Sequence, residues 1–320
     1  MTPRRRTMRP KVPGIVVLGG LNMDLVVETP RLAGPGETRE GTRFYATPGG
    51  KGGNQAVAAA RILGERAPVI MVGRVGRDAY GDDLIASLDA TGVDTRYVRR
   101  DPASSSGVAV IFIDARGESY VNAVYGANGC CDQQQVTDAP QALKDAGVLL
   151  VQQEIPLDPT FAAMKHARGV GATVVLDPAP TRSPLPDGFL AACDIITPNE
   201  HEAADLCGFE VDGADSARRA ALHLRGAGAP TVIVTLGEGG AWVEADDLSE
   251  LVPAPSVRAV ATVGAGDAFN GGLAAGLAMG LDLIEAVRLG VVAGALCVTK
   301  EGAQEAMPTF GEVERLLGHH

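Results

Sequence analysis

The sequence predicts an α/β fold in which helices cover both faces of a mostly parallel β-sheet, with a small second sheet beside it. Short β-branched runs recur along the chain and alternate with Ala-, Leu- and Arg-rich segments of helical character. Near-continuous apolar strands that alternate with helices are typical of a parallel sheet covered on both faces. Two regions break this alternation, because strand-like segments follow one another there without a helix.

The elements of the main sheet are predicted in chain order. The strands are residues 15–18, 69–72, 148–151, 173–176, 194–196 and 231–235. The helices include residues 56–63, 83–90, 159–167, 216–225 and 268–279, and a β-rich run at 257–263 precedes the last of them.

The two irregular regions are residues 36–48 and 106–126. In the second region, a turn sequence at 114–117 lies between two β-rich segments, which predicts a β-hairpin. We expect both regions to pair as a small sheet over one edge of the main domain. A sheet of that kind is a candidate lid or dimer surface.

Composition and charge argue against several classes of function. The 320-residue chain carries a net charge of −11, and only 4% of its residues are aromatic. This balance argues against a nucleic-acid partner, an anionic membrane surface and a base-stacking platform. An anionic substrate would therefore need locally placed basic or backbone donors.

The N-terminus and the cysteines bear on the location of the protein. The basic start of the chain lacks a cleavage pattern, so we interpret residues 1–13 as a disordered tail before one domain at 14–318. No apolar run approaches the length of a membrane span. The five cysteines form neither a disulfide framework nor a zinc pattern, which favours a reducing cytoplasm. They are Cys130, Cys131, Cys193, Cys207 and Cys297.

The most informative local pattern is Gly264, Ala265, Gly266 and Asp267, at the start of a predicted helix. Glycines let the backbone approach a ligand, and the first N–H groups of a helix lack intrahelical partners, so they form an anion site. Asp267 would add a carboxylate beside that site. A proton acceptor next to a phosphate cradle is what phosphoryl transfer to a hydroxyl requires. The alternative is that Asp267 only caps the helix.

A second glycine-rich pattern, at residues 49–57, contains Gly50, Lys51 and Asn54 and leads into a strong helix. Its glycines would let the backbone come close to a small ligand, while the Asn54 amide supplies both a donor and an acceptor. The spacing differs from that of a P-loop. The alternative is a tight connection from the lid into the helix.

Asn22 and Asp24 follow the first predicted strand. Ligands of open parallel sheets bind at the carboxyl ends of the strands, so these two side chains are placed to reach a polyol. Amide and carboxylate groups suit vicinal hydroxyls, each of which donates and accepts. The alternative is an Asx turn that caps the strand end.

Two further strand ends carry candidate phosphate-site residues. Asn199 and Glu202 stand three residues apart at a helix start, and their oxygen atoms suit Mg²⁺ beside phosphates. Thr235 and Gly237 offer a hydroxyl and flexible backbone to a nucleotide. The alternatives are a helix cap for the first pair and a hairpin turn for the second.

Taken together, these patterns resemble the motif series of the ribokinase branch of PfkB-type sugar kinases. The motifs follow the family's order and spacing from about Val16 to Pro308. They are Pro-Gly-Glu-Thr (35–38), Gly-Gly-Lys-Gly-Gly-Asn-Gln-Ala-Val-Ala-Ala-Ala-Arg (49–61), Gly-Ala-Asn (126–128), Asp-Pro-Ala-Pro (177–180), Thr-Pro-Asn-Glu (197–200), Gly-Ala-Gly-Asp-Ala-Phe-Asn-Gly (264–271) and Gly-Ala-Gln (302–304). The resemblance implies a ribokinase-like three-layer α/β/α fold and a homodimer formed through the β lid.

The resemblance also implies a role for each matching residue. Asp267 would take the proton from the primary hydroxyl of ribose, while the backbone N–H groups of residues 264–267 stabilise the γ-phosphoryl group. The acidic residue linked indirectly to Mg²⁺ and phosphate matches Glu202, and the nucleotide-binding positions match Asn199, Thr235 and Gly237. The positions that grip the sugar match Asn22, Asp24, Gly50, Lys51, Asn54 and Glu154.

The chain departs from the family pattern at Ala261 and Ala306. In ribokinases, an Asp at the first position and a Ser at the second supply side-chain oxygens to an activating K⁺ site. The loss of both leaves mainly backbone carbonyls, which neutralise a monovalent cation less well. We therefore expect weak or absent activation by K⁺.

The resemblance thus implies an ATP-dependent kinase that phosphorylates the 5-hydroxyl of D-ribose, with Mg²⁺ as the metal. One alternative is a PfkB-type kinase for another sugar or for a nucleoside, although a nucleoside would want an aromatic platform. An alternative from a different class is a non-catalytic, sugar-binding regulatory protein. The retention of Asp267 and the glycine turn argues against that alternative.

Overall fold

The computed structural model describes residues 12–137 and 140–318, whose strands form two sheets. The larger sheet contains β1 (Gly14–Leu18), β4 (Val69–Gly76), β5 (Asp94–Asp101), β8 (Ala146–Val151), β9 (Thr173–Leu176), β10 (Ile195–Ile196), β11 (Thr231–Thr235), β12 (Ala241–Ala245) and β13 (Leu248–Val252). The smaller sheet contains β2 (Asn22–Glu28), β3 (Arg43–Gly49), β6 (Gly107–Ile113) and β7 (Ser119–Val124).

The larger sheet has the strand order β13-β12-β11-β10-β9-β8-β1-β4-β5. Its pairings from β11 across to β5 are parallel, whereas β12 and β13 pair antiparallel at one edge. The predicted mostly parallel sheet is therefore confirmed. Three strands, β5, β12 and β13, were not predicted. They lie at or next to the sheet edges, where charged side chains interrupt the apolar runs that identify central strands.

Helices cover both faces of this sheet, and the alternation along β1 shows why. Ile15 and Val17 belong to one buried apolar cluster and Val16 and Leu18 to the other, because successive side chains of a strand point to opposite faces. The first cluster contains side chains of α1 (Lys51–Leu63), α2 (Ala79–Ala90), α8 (Ala265–Ala278), α9 (Leu283–Cys297) and α10 (Phe310–Leu317). The second contains side chains of α3 (Gln133–Thr137), α4 (Pro140–Asp145), α5 (Leu157–Gly169), α6 (Glu200–Cys207) and α7 (Ala214–Gly226).

The smaller sheet, called the lid below, has the strand order β3-β2-β6-β7. The β6–β7 pair is the predicted hairpin, and the prediction of a small separate sheet is confirmed. Two details of the prediction were wrong. Residues 36–42 form no strand, and β2 belongs to the lid, so Asn22 and Asp24 lie in a paired strand rather than in an Asx turn. The seven-residue strand β2 was not predicted because its start carries the polar side chains of Asn22 and Asp24.

The β-rich run at 257–263 is not a strand, which corrects the prediction. Pro253 and Pro255 follow β13 directly, and proline has no N–H to donate to a sheet ladder, so the pairing ends there. Val260 and Val263 are exposed to solvent as a result. The predicted basic tail lies outside the described residues for positions 1–11, and no helix of the described chain is long and apolar enough to cross a membrane.

Candidate active site

The candidate site lies where the β1–β2 connection, the start of α1 and the start of α8 converge. Only three residues separate the end of β1 at Leu18 from the start of the lid strand β2. Asn22 and Asp24 therefore lie at the junction of the two sheets. The first turns of α1 and α8 carry Lys51, Asn54 and Asp267 into the same region. Ligand sites of open α/β sheets occur at strand carboxyl ends of this kind.

Asp267 is buried and held at both carboxylate oxygens by consecutive residues of α1. The Asn54 Nδ2 donates to Asp267 Oδ2 at 2.9 Å, and the Gln55 Nε2 donates to Asp267 Oδ1 at 3.0 Å. Gly264, not Asp267, is the N-cap of α8. The alternative in which Asp267 merely caps the helix therefore does not describe its contacts, and the carboxylate is oriented by two amides.

Close packing of α8 on α1 brings these groups within hydrogen-bond distance. Gly271 allows this approach, because a Cβ at that position would lie 2.4 Å from the Ala58 Cβ. The first turn of α8 is also fixed from the sheet side. The Asn270 Nδ2 donates to the Gly266 carbonyl at 3.0 Å, and its Oδ1 accepts from the Thr197 hydroxyl at 2.7 Å. Hydrogen bonds to neighbouring elements therefore hold both the candidate base Asp267 and the start of α8.

The start of α8 has the geometry of an anion site. Gly264 adopts a φ of 78°, which turns the chain into the helix, and Gly266 is exposed in the first turn. N–H groups in the first turn of a helix have no intrahelical acceptors, and the helix dipole adds a positive field. Gly264, Ala265, Gly266 and Asp267 thus place backbone donors beside a carboxylate, as the sequence predicts.

A second cluster of polar side chains surrounds the start of the lid strand β2. The Asn22 Nδ2 donates to Glu154 Oε1 at 3.0 Å, and the Lys51 backbone N–H donates to Glu154 Oε2 at 2.8 Å. The Asn128 Nδ2 donates to Asn22 Oδ1 at 2.9 Å. Glu154 therefore joins the lid strand to the start of α1.

Gly50 is the N-cap of α1 and has a φ of 82°. A Cβ there would lie 2.5 Å from the Asn22 backbone nitrogen, so the position admits only glycine without a shift of the lid strand. The tight connection that the sequence left as an alternative is therefore real. It is also the feature that brings Asn22 next to the first turn of α1.

Burial raises the pKa values of the carboxyl groups in this cluster. Burial, with the neighbouring Glu154 and Asp267, raises the pKa of Asp24 to about 7. Burial also raises the pKa of Glu154 to about 7, although the Lys51 ammonium opposes the shift. The pKa of Asp267 is raised by burial as well, against the opposing effects of Lys51 and of the two amide donors. Perturbed carboxyl groups clustered in this way are typical of functional sites.

Lys51 is the cation among these carboxylates. Burial alone would lower the pKa of its ammonium, but the charges of Asp177 and Asp267, followed by Glu202 and Glu154, raise it above its ordinary value. Lys51 therefore keeps its charge. The strongest attractions of this ammonium are to the Asp177 and Asp267 carboxylates.

One of three buried side-chain polar atoms that lack a hydrogen-bond partner among the described residues lies beside Asp267. The Asn54 Oδ1 is buried and has no hydrogen-bond partner among the described residues. Buried polar atoms in native structures nearly always have a partner, so an unsatisfied acceptor beside the candidate base needs an explanation. A hydroxyl of a bound polyol would satisfy it.

Asn199 and Glu202 form a capping box at the start of α6. The Asn199 Oδ1 accepts from the Glu202 N–H at 2.9 Å, and the Glu202 Oε2 accepts from the Asn199 N–H at 2.9 Å. The capping alternative is therefore confirmed for this pair. An isolated parallel bridge joins Asn199 to Thr235, and Gly237 follows in a turn between β11 and β12. These residues lie at the carboxyl ends of β10 and β11, along an edge of the sheet that is more exposed than the Asp267 cluster.

The residues of this edge fit a hydrated Mg²⁺ rather than a metal held by protein alone. Among the described residues, no group of three or more His, Cys, Asp and Glu side chains could hold a metal ion. Mg²⁺ commonly keeps several waters and binds one or two carboxylates together with substrate phosphates. Glu202 fits that role because the cap occupies only its Oε2.

The chain departs from the family's cation site at Ala261 and Ala306, and neither residue has a side-chain oxygen. Ala306 is fully buried, and the N–H groups of Val260 and Ala261 donate to the Val298 carbonyl at 2.7 and 3.2 Å. A cation bound here would depend on other backbone carbonyls of these loops.

Three residues of the site were not assigned a role from the sequence, namely Gln55, Asn128 and Asp177. All three are buried. Gln55 donates to Asp267 and Asn128 donates to Asn22, whereas Asp177 accepts from Gln55. Asn128 and Asp177 lie within motifs that carry the family resemblance, and Gln55 directly follows Asn54. Their positions in or beside these motifs could have marked them as site residues. Their contacts join residues more than 100 positions apart, so sequence spacing could not have predicted them.

Comparison with known proteins agrees with this geometry. The pattern of the pfkB family carbohydrate kinases matches residues 12–310. Ribokinase from Haemophilus influenzae is 37% identical over 305 residues, which are 95% of this chain and 98% of that protein. Deoxyribokinase from Salmonella typhi is 36% identical over 303 residues, with 95% and 98% covered.

Comparison with solved structures finds the same kind of protein. The structure of Arabidopsis thaliana ribokinase complexed with ribose and ATP superposes with a TM-score of 0.89 at 32% identity, and the match covers 95% of this chain and 98% of that one. A family pattern over nearly the whole chain, relatives above 30% identity and a shared fold all agree. The chain therefore belongs to the pfkB family of carbohydrate kinases.

Proposed function

We propose that the protein is an ATP-dependent ribokinase, which transfers the γ-phosphoryl group of ATP to the 5-hydroxyl of D-ribose. The observation that carries the proposal is the buried Asp267 carboxylate, oriented by Asn54 and Gln55 at the open start of α8. This arrangement supports the proposal, because a carboxylate that could act as the base lies beside backbone N–H groups that could bind a phosphoryl group. The related ribokinases and the ribokinase complexed with ribose and ATP support the choice of substrates.

The chemistry follows from these groups. Asp267 takes the proton of the primary hydroxyl as the oxygen attacks the γ-phosphorus, and ADP leaves on the opposite side. The N–H groups of Gly266 and Asp267 and the Lys51 ammonium face the negative charge of the transferred group. Positioning and electrostatic stabilisation supply most of the rate in phosphoryl transfer. When bound, Mg²⁺ would neutralise phosphate charge, with Glu202 holding it through water.

Sugar recognition rests on the cluster around β2. Asn22, Asp24, Asn54 and Glu154 combine amide and carboxyl groups, which suit a molecule whose hydroxyls both donate and accept. A second candidate acceptor is 2-deoxyribose, because one of the similar relatives is a deoxyribokinase. Asn199, Thr235 and Gly237 would contact the nucleotide at the neighbouring sheet edge.

We propose in addition a cytoplasmic homodimer formed through the lid. One face of the lid carries exposed apolar side chains on β3 and β7, namely Phe44, Tyr120 and Val124. An open apolar sheet face of this kind is typical of an interaction surface. Phe44→Glu should shift the sedimentation coefficient from that of a dimer to that of a monomer, and an unchanged coefficient would remove the lid as the interface.

An ATP-consumption assay with a panel of acceptors tests the function. The panel contains D-ribose, 2-deoxy-D-ribose, D-fructose, adenosine and inosine at equal concentration. We expect the highest kcat/KM with D-ribose. A higher value for 2-deoxyribose would assign the second candidate, a nucleoside preference would assign the nucleoside-kinase alternative, and no turnover with any acceptor would contradict the kinase itself.

A further inference from the structure

Gln55 connects two buried carboxylates through one amide group. Its Nε2 donates to Asp177 Oδ2 at 2.7 Å and to Asp267 Oδ1 at 3.0 Å. Its Oε1 accepts from the Gln152 Nε2. Gln55, Asp177 and Asp267 are all buried, so solvent does not replace these bonds.

These partners fix the orientation of the Gln55 amide. An ionised Asp267 carboxylate only accepts hydrogen bonds, so the Gln55 group that faces it must be the NH₂ group. A flipped amide would place Oε1 against two carboxylates and would turn the NH₂ group towards the Gln152 donor. Both Gln55 N–H groups are therefore committed to carboxylates, one at the candidate base and one at the end of β9.

Gln55 differs from Asn54 in what remains available for a ligand. The Asn54 Oδ1 is unsatisfied and can accept from a sugar hydroxyl, whereas both polar atoms of Gln55 already have protein partners. Gln55 thus has no group left for substrate. Any effect it has on the reaction must act through the residues that it contacts, and among these Asp267 is the candidate base.

Removing this amide would leave Asp267 among like charges. The charged or titratable groups around Asp267 are Lys51 of α1, Asp24 of β2, Glu154 after β8, Asp177 after β9, Glu202 of α6 and Cys297 of α9. Lys51 is the cation in this set, and Gln55 is the neutral donor shared by two of the carboxyls. Two carboxyls that lose a shared donor favour the state in which one of them is protonated.

We propose that Gln55 is a positioning residue, which keeps Asp267 ionised and aimed at the substrate hydroxyl by sharing its amide between Asp267 and Asp177. This role rests on the proposed kinase function. In this role, the Gln55 amide acts together with the Asn54 amide to orient the candidate base Asp267.

The test is Gln55→Met, which keeps the length of the side chain but removes the donor. Because small misplacement of a reacting group is costly, we expect kcat to fall at least about tenfold. The KM for the sugar should stay within about threefold, since Gln55 has no group for substrate. The acid limb of the kcat–pH profile should move to higher pH, because Asp267 loses a donor to its ionised form.

Two variants separate positioning from general stability. Glu244→Met removes a buried side chain with two hydrogen-bond partners, Trp242 and Ser249, at the opposite end of the sheet, and should lower Tm without moving the acid limb. Gln152→Met leaves both carboxylate bonds in place but releases the Gln55 Oε1. It should move the limb in the same direction by a smaller amount, and it serves if Gln55→Met does not fold.

A titration of Asp267 makes the result independent of turnover. The ¹³Cγ signal of Asp267, assigned with Asp267→Asn, should titrate at higher pH in Gln55→Met than in the unmodified protein. An unshifted titration together with an unshifted acid limb would overturn the proposal. If the unmodified protein phosphorylates no acceptor, the proposed function fails, and the titration still decides whether Gln55 holds the Asp267 charge.

Discussion

The sugar-facing and nucleotide-facing halves of the site differ in how firmly the chain holds them. Asn22 is 2% exposed and Asp267 6%, and each is held by hydrogen bonds to side chains of distant elements. Asn199 and Gly237 are exposed, and among the described residues the Asn199 side chain bonds only within the first turn of α6. The difference indicates that the proposed sugar site is held by the fold itself, whereas the proposed nucleotide site is more open to solvent.

The largest effect should come from Asp267→Asn, which removes the base but keeps the size of the side chain. General-base catalysis typically contributes ~10²–10⁴-fold, so we expect kcat to fall by that factor. Binding of the sugar, measured by calorimetry, should change little because Asn54 and Glu154 remain in place. A turnover near that of the unmodified protein would show that Asp267 is not the base.

Asp24→Asn should weaken the dependence of thermal stability on pH that arises in the proposed sugar-facing half. The pKa of Asp24 is raised from 3.8 to about 7, so the folded protein binds this proton more tightly than the unfolded chain. Its contribution to stability is therefore fully present below pH 3.8 and is lost as the pH rises through about 7. The Tm of the ligand-free protein should fall between pH 5.5 and 8, and the variant should show a shallower fall.

The control for this measurement is Asp247→Asn, which changes an exposed carboxylate in the turn between β12 and β13. It should leave the slope of Tm against pH unchanged. A variant at position 24 with the same slope as the unmodified protein would mean that the Asp24 carboxyl does not titrate in the folded state above its ordinary range.

Thr235→Ala tests the nucleotide-facing half, where we expect a smaller effect. The half-buried hydroxyl would make one hydrogen bond to the nucleotide, and a typical net value of about 1 kcal/mol corresponds to roughly fivefold in KM for ATP. The KM for the sugar should not change. Equal increases in both KM values in steady-state assays would show that the two halves are not separate.

The smallest effect should be the response to K⁺. Ala261 and Ala306 supply no side-chain oxygen, so replacing 100 mM Na⁺ by 100 mM K⁺, both roughly physiological in ionic strength, should change kcat little. Restoring the oxygens with Ala261→Asp and Ala306→Ser should increase the response to K⁺. A strong K⁺ requirement in the unmodified protein would contradict this prediction.

Sequence patterns were most informative where local rules decide the structure. Buried runs such as β8 and β9 are continuous and apolar, so the parallel sheet could be predicted, as could the glycine-to-helix turn at Gly264. The run at 257–263 failed because β-branched residues form a strand only where a neighbouring strand pairs with them, and Pro253 and Pro255 end that pairing.

The contacts that orient the site depended on the fold. The hydrogen bond from Asn54 to Asp267 joins residues 213 positions apart, and that from Asn128 to Asn22 joins residues 106 apart. Neither distance follows from periodicity or local propensity. Family motifs could nominate Asn54 and Asp267 separately, but only the packing of α8 on α1 at Gly271 explains why they meet.

The product formed from ATP and D-ribose tests the central claim most directly. Asp267, held by α1 beside the open start of α8, should act on a primary hydroxyl, so the product should be ribose 5-phosphate. Its phosphorus would couple to the two protons of C5 in a ³¹P–¹H NMR experiment, and Asp267→Asn should form it far more slowly. Coupling to a single anomeric proton, or equal rates for the two proteins, would contradict the account.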